Sequence, residues 1–233
     1  MFLSAVKLPH ILPQNYCFSY TSVYTNHMEI KTLSLGPLQT NCYLVWCPKT
    51  QEAIIIDPAD EADFITQEII DLKLKPKYIV LTHGHFDHVL GVLELKLNFN
   101  IPILLHKADL PLYKQTQKSA QYWLQRQVDP TPPPDKFIKQ NDQIKFGKES
   151  LKVIETPGHT PGSICLLSPV HLGGAHLFSG DTLFKNGIGR TDFSYSSSKD
   201  MQNSLQKLAK LPPTTKVYPG HGEPTTIAQE SLS

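Results

Sequence analysis

Apolar and polar positions follow two different periods along this chain. From Glu29 onward the pattern is short and strand-like, with Glu29 to Ser34, Asn41 to Trp46 and Glu52 to Ile56 separated by the turn signals Gly36-Pro37 and Pro48-Lys49-Thr50. Tyr78-Ile79-Val80-Leu81-Thr82, rich in β-branched and aromatic residues, predicts a buried strand. Three later apolar stretches, around Leu151-Lys152-Val153-Ile154, Leu177-Phe178-Ser179 and Val217-Tyr218-Pro219, each run into a glycine and then a polar residue. A helical period replaces this at Glu61 to Lys73, where Ala62, Ile65, Ile69 and Leu72 share one face and Asp60 is the expected N-cap. It returns at Val89 to Leu97 and at Lys199 to Lys210, where Met201, Leu205 and Leu208 point inward and Leu211-Pro212-Pro213 ends the helix. Ala108 to Gln127 predicts a further helix, followed by the proline-rich segment Asp129 to Asp135, read as a rigid connector or as an active-site rim. Alternating strands and amphipathic helices predict outer helices packed on sheets.

Composition narrows the class. With 233 residues and 40% hydrophobic side chains the chain can bury one sizeable core. Its 22 basic and 21 acidic residues leave no broad field for a phosphate backbone, so no nucleic-acid partner is expected. No apolar run approaches the roughly 18 residues that would span a bilayer, and no membrane partner is expected. The four cysteines, Cys17, Cys42, Cys47 and Cys165, have neither metal-type spacing nor a disulfide framework, so free thiols in a reducing, cytoplasmic setting are expected. Cys42 and Cys47 flank an extended segment too long to bridge. Residues 1–27 lack the periodicity of 28–233. They read as an extension, a disordered tail or the product of a start upstream of Met28, with a targeting peptide as the alternative; Lys7 interrupts the one apolar block. Residues 28–233 read as a single catalytic domain, a monomer or small homo-oligomer.

The chemistry lies in seven residues: His83, His85, Asp87 and His88 in one short segment, then His159, Asp181 and His221. Gly84 breaks the strand geometry, so His83 and His85 can turn toward one point, while Asp87 and His88, at the start of the next periodic stretch, face another. Imidazole nitrogens and carboxylate oxygens are the ligands of zinc, iron and manganese. His159, Asp181 and His221 each follow a strand, with a glycine just before, a device that delivers a side chain to a sheet edge. Seven such ligands suit two metal ions. The remaining histidines (His10, His27, His106, His171 and His176) read as ordinary polar residues. A structural zinc site would be closed and rich in cysteine, and no CxxC pair is present.

Thr82-His83-Gly84-His85-Phe86-Asp87-His88, Thr156-Pro157-Gly158-His159-Thr160, Gly180-Asp181-Thr182-Leu183-Phe184 and Gly220-His221-Gly222 together resemble the metallo-β-lactamase superfamily, over about Met28 to Thr226. Gly180 to Phe184 followed by Gly189-Arg190-Thr191-Asp192-Phe193 is most similar to its glyoxalase II group in compact form. The resemblance implies an α/β (α+β) fold, a four-layered α/β/β/α sandwich of two mixed sheets with the metals at one edge. It implies that His83, His85 and His159 bind one metal, that Asp87, His88 and His221 bind the other, and that Asp181 bridges them. The ions expected are two divalent metals, zinc first, with iron or manganese as alternatives.

Such a site implies hydrolysis by a metal-bridging hydroxide, with Asp87 and Asp181 in the catalytic set, since a bound metal lowers the pKa of water from about 15.7 to roughly 7. A thiolate leaving group, with a conjugate acid near pKa 8.5, needs no dedicated proton donor. The expected substrate is a small acyl thioester such as S-lactoylglutathione. Arg190 stands where glyoxalase II has a substrate-binding lysine, and it either binds substrate or pairs with Asp192, which stands where that family has a tyrosine. The alternative is a mononuclear-iron persulfide dioxygenase, whose members are similar in the Gly-Arg-Thr-Asp-Phe segment. β-Lactamase activity is disfavoured, because the resistance families commonly carry cysteine where Asp181 stands.

Overall fold

The computed structural model describes residues 27–170 and 174–230. The extension at 1–26, with His10 and Cys17, and His171 lie outside them. In chain order the strands are β1 (Glu29–Leu35), β2 (Thr40–Trp46), β3 (Glu52–Ile56), β4 (Lys75–Val80), β5 (Ile103–His106), β6 (Lys136–Ile138), β7 (Gln143–Phe146), β8 (Glu149–Glu155), β9 (Ile164–Leu167), β10 (His176–Gly180), β11 (Leu183–Phe184), β12 (Gly187–Ile188), β13 (Lys216–Pro219) and β14 (Thr225–Thr226). The helices are α1 (Ala62–Asp71), α2 (Val92–Phe99), α3 (Leu110–Tyr113), α4 (Thr116–Leu124) and α5 (Ser198–Leu208). One six-stranded sheet runs β1-β2-β3-β4-β5-β6, a second runs β14-β13-β10-β9-β8-β7, and β11-β12 form a separate hairpin. The first sheet is antiparallel from β1 to β3 and parallel from β3 to β6. The second is antiparallel apart from the parallel β10–β13 pair.

The period of two in the strands sorts their side chains into three stacked cores. On β2 and β3, Leu44 and Ile55 face α1 and α2 in one cluster with Ile65, Ile69 and Leu95. Their neighbours Tyr43, Val45, Ile54 and Ile56 point the other way and meet Val153, Ile164, Leu166 and Phe178 of the second sheet. The outer face of that sheet places Cys165, Leu177 and Val217 against Leu208 of α5. Helix, sheet, sheet and helix are therefore the four layers expected. No described helix is long and apolar enough to cross a membrane.

Several boundaries differ from the periodicity. β4 starts at Lys75 because Pro76, which has no N–H for a ladder, is accommodated by a register shift opposite Ala53 and Ile54. α2 begins at Val92 rather than Val89: Leu90 and Gly91 donate their N–H groups to the carbonyls of Ala59 and Pro58, which pulls this stretch out of the helix. Asp60 is not the N-cap of α1. Glu61 holds that position in a left-handed conformation with no side-chain cap, and the Asp60 carboxylate accepts the Glu61 N–H and both arms of Arg126 instead. The stretch 108–127 is two helices, α3 and α4. Ser197 caps α5, accepting from the Asp200 N–H at 3.2 Å. The segment 129–135 is tied down by Tyr113 Oη donating to the Pro132 carbonyl and by Lys96 on Asp135, and the residues lining the cleft described below come from elsewhere in the chain. Cys42, Cys47 and Cys165 are buried free thiols.

Candidate metal centre

All seven predicted ligands leave the C-terminal ends of strands at one edge of the sandwich. β4 runs into His83 and His85, and a single 3₁₀ turn, Phe86–His88, carries Asp87 and His88. His159 follows β8, Asp181 follows β10 and His221 follows β13, so both sheets contribute. A register shift between Phe178 and Gly180 on β10 re-aims the chain just before Asp181. Gly180 has φ +49°, the left-handed region that favours glycine. Gly84 serves differently. A Cβ there would lie 2.7 Å from the Asp109 carbonyl, so it is needed for close approach rather than for its dihedral.

The donor atoms converge as two adjoining sets. His85 Nδ1 lies 3.1 Å from His83 Nε2 and 3.0 Å from His159 Nε2, and Asp181 Oδ2 is 3.5 Å from His159 Nε2. Asp87 Oδ2 is 3.6 Å from His88 Nε2 and 3.3 Å from His221 Nε2. Asp181 reaches this second set as well, at 3.4 Å from His88 and 3.7 Å from His221. It sits between the two.

Each imidazole is held by one nitrogen and offers the other, with tautomers assigned from these partners. His83 Nδ1 meets Thr82 Oγ1 at 3.1 Å, His88 Nδ1 meets Asp57 Oδ2 at 3.0 Å, His159 Nδ1 donates to the Arg190 carbonyl at 2.8 Å and His221 Nδ1 donates to the Leu38 carbonyl at 3.1 Å. His85 is reversed, with Nε2 on Tyr195 Oη at 2.8 Å and Nδ1 facing the cluster. Burial and then the neighbouring imidazoles push His83 well below its ordinary value and His85 down to about 3, so both are neutral lone-pair donors. Burial also disfavours charge on His88, but Asp181, Asp87 and Asp57 outweigh it and raise His88 to about 10. A cation belongs in that field. His88 Nε2 and Asp181 Oδ1 are buried without a hydrogen-bond partner, a cost of about 1–3 kcal/mol for each such group, and both are directed into the cluster. Five convergent imidazoles and two carboxylates, with His88 Nε2 and Asp181 Oδ1 among them orphaned, fit a pair of divalent ions.

Three supporting residues were not singled out from sequence. Asp57, buried just past β3, accepts the Thr82 N–H at 2.7 Å and the Thr82 hydroxyl at 2.6 Å while it orients His88. With both oxygens so occupied, it is an orienting group rather than a ligand, although it lies close to His83 and His88. It ends a strand ahead of Pro58, the same signal the ligands give without the glycine. Buried Asp109 accepts the N–H groups of Gly84 (2.8 Å) and Gly162 (2.6 Å) and the Thr160 hydroxyl (2.7 Å). It joins the loop of His83 and His85 to that of His159. Tyr195 carries no sequence signal. Burial holds its hydroxyl protonated, with a pKa pushed up to about 12.

A cleft of about 500 Å³ opens over the cluster. Its lining includes Arg190, whose guanidinium grips Asp192 through two 2.9 Å bonds and lies 4.5 Å from the centre of the Phe193 ring. Arg190 thus makes the ion pair with Asp192 that was one of its two readings, and it does so at the rim of the cleft.

Two mixed sheets in a four-layered sandwich, with a His/Asp cluster at one edge, define a metal-dependent hydrolase fold. The metallo-beta-lactamase superfamily model matches residues 35–221, and the chain belongs to that superfamily. It is 34% identical over 208 residues to hydroxyacylglutathione hydrolase GloC of Haemophilus influenzae, covering 88% of this chain and 96% of that protein. Among solved structures it is similar to TTHA1623 in a di-iron-bound form (TM-score 0.78, 36% identity, 86% of this chain and 96% of that one). It is also similar to the BLEG-1 B3 metallo-beta-lactamase (TM-score 0.78, 33% identity, 86% and 95%).

Proposed function

We propose that this chain is a dinuclear-metal hydrolase that cleaves a small acyl thioester, with S-lactoylglutathione as the reference substrate. The observation that carries the reading is the pair of adjoining ligand sets sharing Asp181. In this reading His83, His85 and His159 hold one ion, Asp87, His88 and His221 hold the other, and Asp181 lies between them. Bound divalent ions supply an acidified water as nucleophile and Lewis-acid polarisation of the acyl carbonyl. Asp57, Thr82, Tyr195 and the carbonyls of Leu38 and Arg190 fix the imidazole rings, so the donors are preorganised. A thiol leaves readily as its anion, which fits a cleft without a dedicated acid. The likeness to GloC supports the thioester, and the di-iron state of TTHA1623 supports two ions while leaving zinc, iron and manganese as candidates. The buried free thiols support a reducing, cytoplasmic setting.

The test combines metal content per chain, on protein purified without added metal, with three assays: S-lactoylglutathione hydrolysis, oxygen uptake with glutathione persulfide, and hydrolysis of a chromogenic cephalosporin. About two ions per chain with thioester cleavage and no oxygen uptake is the expected result. One iron with oxygen uptake would replace the reading with a persulfide dioxygenase, and preferential cephalosporin turnover would replace it with a β-lactamase.

A further inference from the structure

Beyond the metal cluster, the cleft is walled by Leu38, Trp123, Phe184, Ile188 and Phe193. Leu38, Trp123 and Ile188 are 45%, 55% and 47% exposed, a large apolar surface for residues beside a polar cluster. They come from three separate places: the β1–β2 turn, α4 and the β11–β12 hairpin. Among the described residues lining the cleft Arg190 is the single Lys or Arg, and Asp192 already neutralises it. The nearby Lys185 is engaged by Glu223.

Resting on the thioesterase reading, we infer that this cleft selects thioesters bearing an extended apolar acyl group on a carrier of low charge. Glutathione brings two carboxylates and an ammonium, and the walls offer one paired guanidinium to receive them. Charges set against apolar walls without partners oppose binding. An alkyl or aryl acyl chain would instead cover Leu38, Trp123 and Ile188 and gain from their removal from water. The reaction balances as simple hydrolysis: water oxygen bonds to the acyl carbon, the C–S bond breaks, and a carboxylic acid and a thiol leave.

The metal-loaded full chain is assayed with neutral S-acyl-N-acetylcysteamine thioesters, from acetyl through butanoyl and hexanoyl to octanoyl, beside S-lactoylglutathione. kcat/KM should rise about fourfold for each methylene buried until the cleft is filled, and hexanoyl should exceed S-lactoylglutathione. Trp123→Ala and Ile188→Ala should each lower the hexanoyl-to-acetyl ratio of kcat/KM by about tenfold, with Trp123→Phe restoring most of it. A flat series, or S-lactoylglutathione exceeding every neutral ester, overturns the inference and leaves the thioesterase standing. A protein with two ions that cleaves none of these esters overturns both.

Discussion

Asp181 is the residue that both candidate ligand sets share, because its Oδ1 faces His88 while its Oδ2 lies between His159 and His221. Replacing it with alanine should abolish turnover and reduce bound metal, while circular dichroism and the unfolding midpoint of the metal-free protein stay close to wild type. Retention of most activity would sink the two-ion mechanism. Arg190→Ala separates two roles. Loss of uniform substrate binding raises KM with little change in kcat, whereas loss of the tie to Asp192 and Phe193 lowers thermal stability; with the guanidinium already committed to Asp192 and Phe193, a small loss of stability with KM little changed is expected. The seven ligand candidates were legible because histidine and aspartate beside glycine at strand ends is an uncommon pattern. Tyr195 was not legible, since its contact with His85 spans 110 residues and a lone tyrosine has no distinguishing neighbours. Asp109 was hidden for the same reason, inside a stretch read only as helical.

Between elements, α1 and the chain leaving α4 are joined by Asp60 and Arg126 at 2.7 and 3.0 Å. Burial alone would raise the Asp60 carboxyl, but the bonds from Arg126 and the Glu61 N–H outweigh it and hold it below the ordinary range. A depressed carboxylate stabilises the fold above its unfolded value, near about 3.9, and loses that contribution as pH falls through the folded value. Asp60→Asn should therefore be less stable than wild type at pH 7, with the gap closing in urea titrations as pH falls below the ordinary carboxylate value of about 3.9. Because Arg126 is half exposed, the gap should not exceed about 1 kcal/mol. A gap independent of pH would assign the effect to lost packing. The same pair shows where sequence reading stopped. Asp before a periodic helix is an ordinary N-cap signal, and only the presence of Arg126, 66 residues away, diverts it. Strand order was equally out of reach, because alternation marks β2 and β3 as strands without saying that β10 lies beside β13.

Across the whole molecule the two sheets meet at Phe178, which is fully buried, edge-on to Tyr43 at 5.2 Å and stacked on Tyr218 at 5.3 Å. Phe178→Ala should cost about 3–5 kcal/mol, read as a fall in the urea midpoint at unchanged slope. Removing metal with a chelator should lower the unfolding temperature, because ions that bind only the folded state stabilise it by about 4 kcal/mol at a thousandfold excess over Kd. An unchanged temperature would mean that the ligands do not hold ions in the folded protein. The four-layer architecture was legible as a resemblance carried by motifs, whereas the division of its cores rests on which face of each strand turns inward. The ligands are ordered along the chain from residue 83 to residue 221 and drawn from both sheets. During synthesis, a ribosome that has made the first sheet has therefore exposed His83, His85, Asp87 and His88 but neither completed set. On the two-ion reading, neither set of donors is complete until the second sheet has been made and folded onto the first, so the centre is assembled late in synthesis even though four of its residues emerge early.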